Sequence, residues 1–173
     1  MDLPFKQIDL SNWSDPDPAS AGQARGKDKN GWQYYAGEDY LEDIQQIILS
    51  PNVPHDIHEQ MELAKGICTY GYYFYPLFTV GMERAILTAD SATLQMCKEM
   101  GGPKGVPKTF KKRVEWLAEH GVIDEPARDQ LHNLRSLRNI SSHPEHVTFM
   151  TPVMAFGIMD RVADAINSLF AAY

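Results

Sequence analysis

Cysteine is scarce in this chain: Cys68 and Cys97 are the only two in 173 residues, and no CxxC pair occurs. That excludes a disulfide framework and the usual cysteine-based zinc spacings. Both thiols fall in apolar, helix-like stretches, so buried structural thiols in a reducing compartment are expected. The first ten residues, MDLPFKQIDL, lack the apolar centre of a secretion signal, and the expectation is a cytoplasmic chain. The longest apolar run, ICTYGYYFYPLFTVGM, is broken by Gly71, Pro76 and Gly81 and carries four tyrosines. It is too interrupted for a membrane span. No strand-like alternation and no internal repeat stand out. The phosphate-binding GxxxxGK[ST] loop, GxGxxG, GxSxG and HExxH are all missing, and no nucleotidyltransferase carboxylate pattern occurs.

An excess of positive charge is missing too. The net charge is −7, which argues against a protein that coats nucleic acid indiscriminately. The charge is unevenly placed. Residues 1–63 hold twelve acidic and four basic side chains, whereas residues 64–173 hold eleven and twelve. The acidity therefore belongs to the N-terminal part. Between Gly101 and Arg113 there are five basic residues (Lys104, Lys108, Lys111, Lys112 and Arg113) and no acidic one. They form either a solvated helix start or a local phosphate contact.

What is present is ordinary globular material: 43% hydrophobic and 23% charged residues, enough for one domain with its own core. Residues 1–37 read as an irregular acidic arm, since SDPDPASAGQARGKDKNG is dense in Asp, Pro, Ser and Gly. Trp13 and Trp32 are its candidate anchors on the body. Residues 38–173 read as the helical domain. A short helix is predicted over Glu38–Leu49, with Leu41, Ile44, Ile47 and Ile48 on one buried face and Ser50-Pro51 as its end. A second helix starts near Pro54 to Asp56 and is interrupted at Gly66, Gly71 and Pro76. The pattern resumes in LFTVGMERAILTADSATLQMCKEM, where Gly81 and Ala85 allow close helix packing, and Gly101-Gly102-Pro103 stops it.

The next helix is TFKKRVEWLAEHG, capped by Thr109 and stopped by Gly121, with Phe110, Val114 and Leu117 as its stripe. Asp124 caps a helix with Pro126 in its first turn, which Pro144 ends at His143. Thr151 and Pro152 open the last helix, whose core face is Ile158, Val162, Ile166 and Leu169. The fold class expected is all-α, an up-and-down bundle of four to five main helices.

The helix ending at His143 carries the chemistry-bearing residues. On a wheel, Leu134, Leu137 and Ile140 form its expected core stripe. His132, Arg135, Ser136, Asn139, Ser142 and His143 form the opposite face, with Arg138 at its flank. This face lacks the Glu/Lys pairs of a plain solvent surface. It offers Arg, Asn, Ser and His, which bind phosphate and move protons.

The segment LRSLRNISSHPEH, with RN-x3-H at its centre, resembles the signature of HEPN domains. So does its setting over roughly residues 54–172: a long helix bearing FTVGMERAIL, a shorter helix, the motif helix and an amphipathic last helix. The resemblance implies a HEPN-like bundle acting as a metal-independent endoribonuclease, a homodimer with its motif helices facing each other. Arg138 would bind the scissile phosphate, His143 would act as general acid or base for attack by the RNA 2′-hydroxyl, and Asn139 would orient the phosphate. Arg135, Ser142, Glu83 and Arg84 would support the site. A toxin, defence or RNA-processing role would follow, with an antitoxin or other protein as partner. A non-catalytic HEPN module binding a nucleotide, RNA or a protein is the alternative. No cofactor and no metal are implied. His55, His58, Glu59 and Glu62 have only a weak metal-ligand spacing, and the tyrosines at 70, 72, 73 and 75 are expected to pack in the core or an interface.

Overall fold

Gly71, Pro76 and Gly81 divide the long apolar run into two helices that turn back on each other. The computed structural model describes residues 4–101, 108–141 and 149–171, without the side chains of residues 140 and 141. Helix α3, His55–Thr69, ends in a 3-10 turn at Tyr70–Tyr72, and α4, Leu77–Glu99, begins immediately after Pro76. Proline has no N–H to lose at a helix start, so the break falls where it costs least. The two helices then approach closely. A methyl group on Gly81 would overlap the Cys68 sulfur and sit 3.0 Å from Ala64 O. One on Gly71 would sit 2.8 Å from the Phe78 ring. Glycine is required at both places by contact.

Along α4, Phe78, Met82, Ala85, Ile86, Ala89, Ala92, Met96 and Cys97 are buried. Its small residues let it lie at the centre of the bundle. Around it pack α3, α5 (Phe110–Glu119), α6 (Glu125–Ser141) and α7 (Pro152–Leu169). The capping signals operate as expected: Thr109 Oγ1 accepts from Lys112 N, Asp124 Oδ1 from Ala127 N and Thr151 Oγ1 from Met154 N. Gly121 adopts φ +70 after α5, the left-handed stop that favours glycine. Ile158, Val162, Ile166 and Leu169 of α7 are buried.

The arm departs from its expected irregularity. It contains a one-turn helix α1, Pro18–Ala21, and an antiparallel hairpin of β1, Ala24–Asp28, and β2, Gly31–Tyr34. Asp28 pairs with Gly31 across a two-residue loop, Gly31 takes φ +123, and Asn30 N donates to Asp28 Oδ1. The strands are exposed, so they lack the apolar alternation by which strands are recognised. The expected anchors are also replaced: Trp13 and Trp32 are 65% and 59% exposed. The arm is held instead by polar groups and one phenylalanine. Asp17 is fully buried; its Oδ1 accepts from Ala19 N, and its Oδ2 from Tyr75 N at 2.9 Å and Lys6 N at 3.2 Å. Ser20 Oγ donates to Gly71 O, and Tyr40 Oη donates to Ser20 O. Phe5 packs edge-on against Phe74 and Phe149.

Helix α2, Gly37–Gln45, stops four residues short of the expected Leu49. Ile44 and Ile47 are buried as expected, but Leu41 and Ile48 are exposed, and Tyr40 takes the central place. Tyr40 stacks on Tyr35 and touches Phe78 and Phe156. An aromatic ring reaching the bundle rotates the buried face of α2 away from Leu41.

Two outcomes follow. Gly81→Ala should destabilise the protein by about 1–3 kcal/mol, seen as a lower urea midpoint, and Cys68→Ala in that background should restore only part of it, because Ala64 O remains in the way. Burial pushes the Cys68 thiol from its ordinary 9.0 up to about 12, and burial raises Cys97, Tyr40 and Tyr75 as well. A group whose folded pKa is raised contributes stability that is whole below its unfolded pKa and is lost as pH climbs above it. Stability should therefore hold to pH 9 and decline from there toward 12, read from urea midpoints across that range, and iodoacetamide at pH 8 should label Cys68 only after unfolding.

Candidate functional site on the sixth helix

Helix α6 is enclosed on three sides, and its neighbours reveal how it is oriented. His132 Nε2 lies 2.9 Å from Glu115 Oε1 of α5, and Gln130 Nε2 donates to Arg161 O of α7. These two contacts leave α6 on opposite sides. Leu131, midway between them, is buried, as is Leu134. At about 100° per residue, Arg138 falls between the directions of Leu131 and Leu134, and Arg135 falls about 40° to the other side of Leu131.

This corrects the expected wheel. The buried stripe is Leu131 and Leu134, with Leu137 only half-buried against the core and the Ile140 side chain outside the described residues. Arg135 and Arg138 belong to the inward side and are half-buried; Asn139 lies one turn beyond Arg135 on the same edge of the helix. The reason is the number of neighbours. A helix contacted by α4, α5 and α7 buries a wider sector than a helix with one partner, and that sector is wide enough to include both arginines. Asn139 is exposed, and Ser136 is exposed with its Oγ donating to His132 O. Ser142 and His143 lie outside the described residues.

The arginines near this helix differ in how they are neutralised. Arg113 of α5 is buried and forms an ion pair with Asp90 of α4, with Nε 3.4 Å from Thr93 Oγ1. It is a structural arginine and is removed from the expected basic run. Lys108, Lys111 and Lys112 are exposed, and Lys104 is outside the described residues. Arg135 is different: its Nε is buried without a hydrogen-bond partner, and so is the Nε of Arg84 on α4. Arg84 and its neighbour Glu83 are half-buried and form no salt bridge with another described residue. Helix α4, which carries Glu83 and Arg84, packs against α6. The Nδ1 of His132 is a third buried polar atom without a partner. A buried guanidinium N–H without an acceptor costs free energy, and an ordered water or an anion would satisfy it.

Other sequence candidates are dispersed. His55 Nε2 lies 3.5 Å from Glu59, while His58 Nε2 lies 3.1 Å from Ser50 O, so the two imidazoles are committed separately. Among the described residues no group of three metal-ligating side chains occurs. His120 Nδ1 meets Trp116 O at 2.8 Å, and its ring stacks on Trp116, as befits a histidine at a helix C-terminus. Among the described residues no helix is long and apolar enough to cross a membrane. Sequence reading missed the exposure of Tyr70 and Tyr73 beside Trp13; only the density of tyrosine in GYYFY hinted at it.

The difference between arginines can be measured. Asp90→Ala should cost on the order of 2–4 kcal/mol, because it removes the carboxylate from a buried guanidinium. Glu62→Ala, which removes an exposed partner of Lys65, should stay within about 0.5 kcal/mol. Urea titration of both variants checks the contrast.

No curated protein matches this chain, and no solved structure matches it. One family model does, over residues 73–171, a segment that begins at Tyr73 and takes in the whole of α4, α5, α6 and α7. That is more than half of the sequence, and it contains every residue of the α6 site and both Glu83 and Arg84: the chain belongs to the family described as a domain of unknown function, DUF4145.

Proposed function

We propose that this protein is a metal-independent endoribonuclease of HEPN type, a homodimer whose α6 helices face each other across the substrate. The observation that carries the reading is the half-buried pair Arg135 and Arg138 on the inward stripe of α6, with the Arg135 Nε buried and unpartnered. A guanidinium nitrogen without a protein acceptor, as the Arg135 Nε is, suits a phosphodiester. Arg138 binds the scissile phosphate and stabilises the charge that develops on it. Asn139 orients the same group. His143 takes the proton of the 2′-hydroxyl or gives one to the leaving 5′-oxygen, and an imidazole with an ordinary pKa near 6.5 does either at neutral pH. The nucleophile is carried by the RNA itself, so no ion has to generate it. Arg135, Ser142, Glu83 and Arg84 support the phosphate site. The setting would be a toxin, a defence system or RNA processing, with an antitoxin or similar protein as regulator.

A second reading is a non-catalytic HEPN module that binds a nucleotide, RNA or a protein. The acidity of residues 1–63 favours it, because that charge repels a polyanion unless the arm is turned away from the site. One experiment separates the two: RNAs of mixed sequence and structure incubated in EDTA with wild type, Arg138→Ala and His143→Ala. The nuclease reading expects cleavage by wild type and a loss of about 100-fold or more in each variant. Binding without cleavage supports the module. Equal cleavage by all three preparations overturns the nuclease.

A further inference from the structure

The surface where the arm meets the α3–α4 junction carries three aromatic rings that the core does not use. Trp13, Tyr70 and Tyr73 are 65%, 64% and 40% exposed, and with Ser14 and Thr69 they line a cavity of about 490 Å³. The 3-10 turn sets Tyr70 and Tyr73 three residues apart and so on one side, with ring centroids 6.3 Å apart. Tyr73 rests edge-on against Tyr72 at 5.2 Å, and Tyr72 is itself packed on Gly37. The two-tyrosine platform is therefore buttressed from below.

Trp13 is held with equal care. Asp9 Oδ1 accepts from Ser11 N, Ser11 Oγ and Asn12 N, and Trp13 N donates to Asp9 O. Lys6 Nζ donates to Asn12 O and Asp15 O. Two residues beyond Asp15, buried Asp17 ties the arm to Tyr75 N. The loop is ordered by its polar groups, yet its largest apolar side chain faces the cavity instead of the core. A fixed loop that presents an indole to two fixed phenols is preorganised for a ligand.

The chemistry of the walls selects that ligand. Ring faces carry negative electrostatic potential and attract cations. Few polar groups are available: the Thr69 hydroxyl already donates to Lys65 O. A primary ammonium or a guanidinium would keep its hydration to satisfy its donors and so sit less closely on the rings. A quaternary ammonium has none to meet. The charge around the cavity agrees. An adjoining depression shares Thr69 and Tyr73, and its one charged lining residue is Glu38. Asp15 is exposed beside Ser14, and residues 1–63 carry a net charge of −8. Lys6, the nearby cation, has two of its ammonium donors engaged by backbone carbonyls.

We propose that Trp13, Tyr70 and Tyr73 form an aromatic cage for a methylated quaternary ammonium group, carried by a choline head-group or by trimethyl-lysine. The proposal is independent of the α6 site.

The test is a fluorescence titration of the full chain carrying Trp32→Phe, so that Trp13 is the responsive indole and half-buried, stacked Trp116 a constant background. The probes are choline, glycerophosphocholine, trimethyl-lysine, lysine and the neutral choline isostere 3,3-dimethylbutan-1-ol. Choline should saturate in the millimolar range and bind about fivefold or more tighter than its isostere. Tyr70→Ala and Tyr73→Ala should abolish the response while Tyr70→Phe keeps it, with unchanged thermal melting showing that the variants are folded. Tighter binding of glycerophosphocholine or of trimethyl-lysine then assigns the source. Equal binding of choline and the neutral isostere, equal binding of lysine and trimethyl-lysine, or no saturation by any quaternary ammonium up to about 0.1 M overturns the cage.

Discussion

The close approach of α3 and α4 at Gly81 is the contact on which the rest of this fold depends. Two backbones can come this near only where one side chain is hydrogen, and here the space is already filled by the Cys68 sulfur and the Ala64 carbonyl. Because α4 carries small residues through its middle (Ala85, Ala89 and Ala92 are all buried), α3, α5, α6 and α7 can gather around a single central helix. The dense packing that results burdens the core with little polar chemistry. Cys68 serves there as a small apolar side chain with a weak sulfhydryl contact to Phe78 O, which is why burial dominates its titration.

The same helical hairpin positions everything at its tip. The 3-10 turn and Pro76 make the junction at residues 70–76, and the arm closes on that junction through Asp17 and Ser20. A buried carboxylate that accepts three backbone N–H groups is satisfied without a counter-ion. It also explains how a segment rich in Asp, Pro and Gly becomes ordered: local side-chain-to-backbone bonds replace the apolar burial it cannot supply. This closure brings Trp13 beside Tyr70 and Tyr73, which the local 3-10 turn already sets on one side.

On the other side of α4 the balance is reversed. Arg113 is neutralised by Asp90, so its burial is compensated within the chain. Arg135 and Arg84 each bury a guanidinium nitrogen that finds no acceptor. Arg113 differs from Arg135 and Arg84 in this respect, and the proposed phosphate site rests on that difference.

Much of the architecture follows from the linear order of residues. Capping by Thr109, Asp124 and Thr151, termination at Gly121, the break before Leu77, the core face of α7 and the small-residue contact at Gly81 are all local or periodic, and such signals need no knowledge of neighbours. What escaped them depended on contacts distant in sequence. The hairpin at Ala24–Tyr34 is exposed on both faces, so its pairing left no alternation to read. Leu41 yields its place to Tyr40 because the ring meets Phe78 and Phe156. On α6, composition alone marked arginine, asparagine and histidine as chemistry-bearing residues. Which of them turn inward was decided by α4, α5 and α7 together, since the buried sector of a helix is set by how many partners surround it. The sequence by itself thus determined an all-helical core with its caps, its breaks and its two buried cysteines; only the tertiary structure decided that the acidic arm is pinned by Asp17 and that the α6 arginines rise from the inward side of their helix, because both depend on contacts between residues distant in sequence.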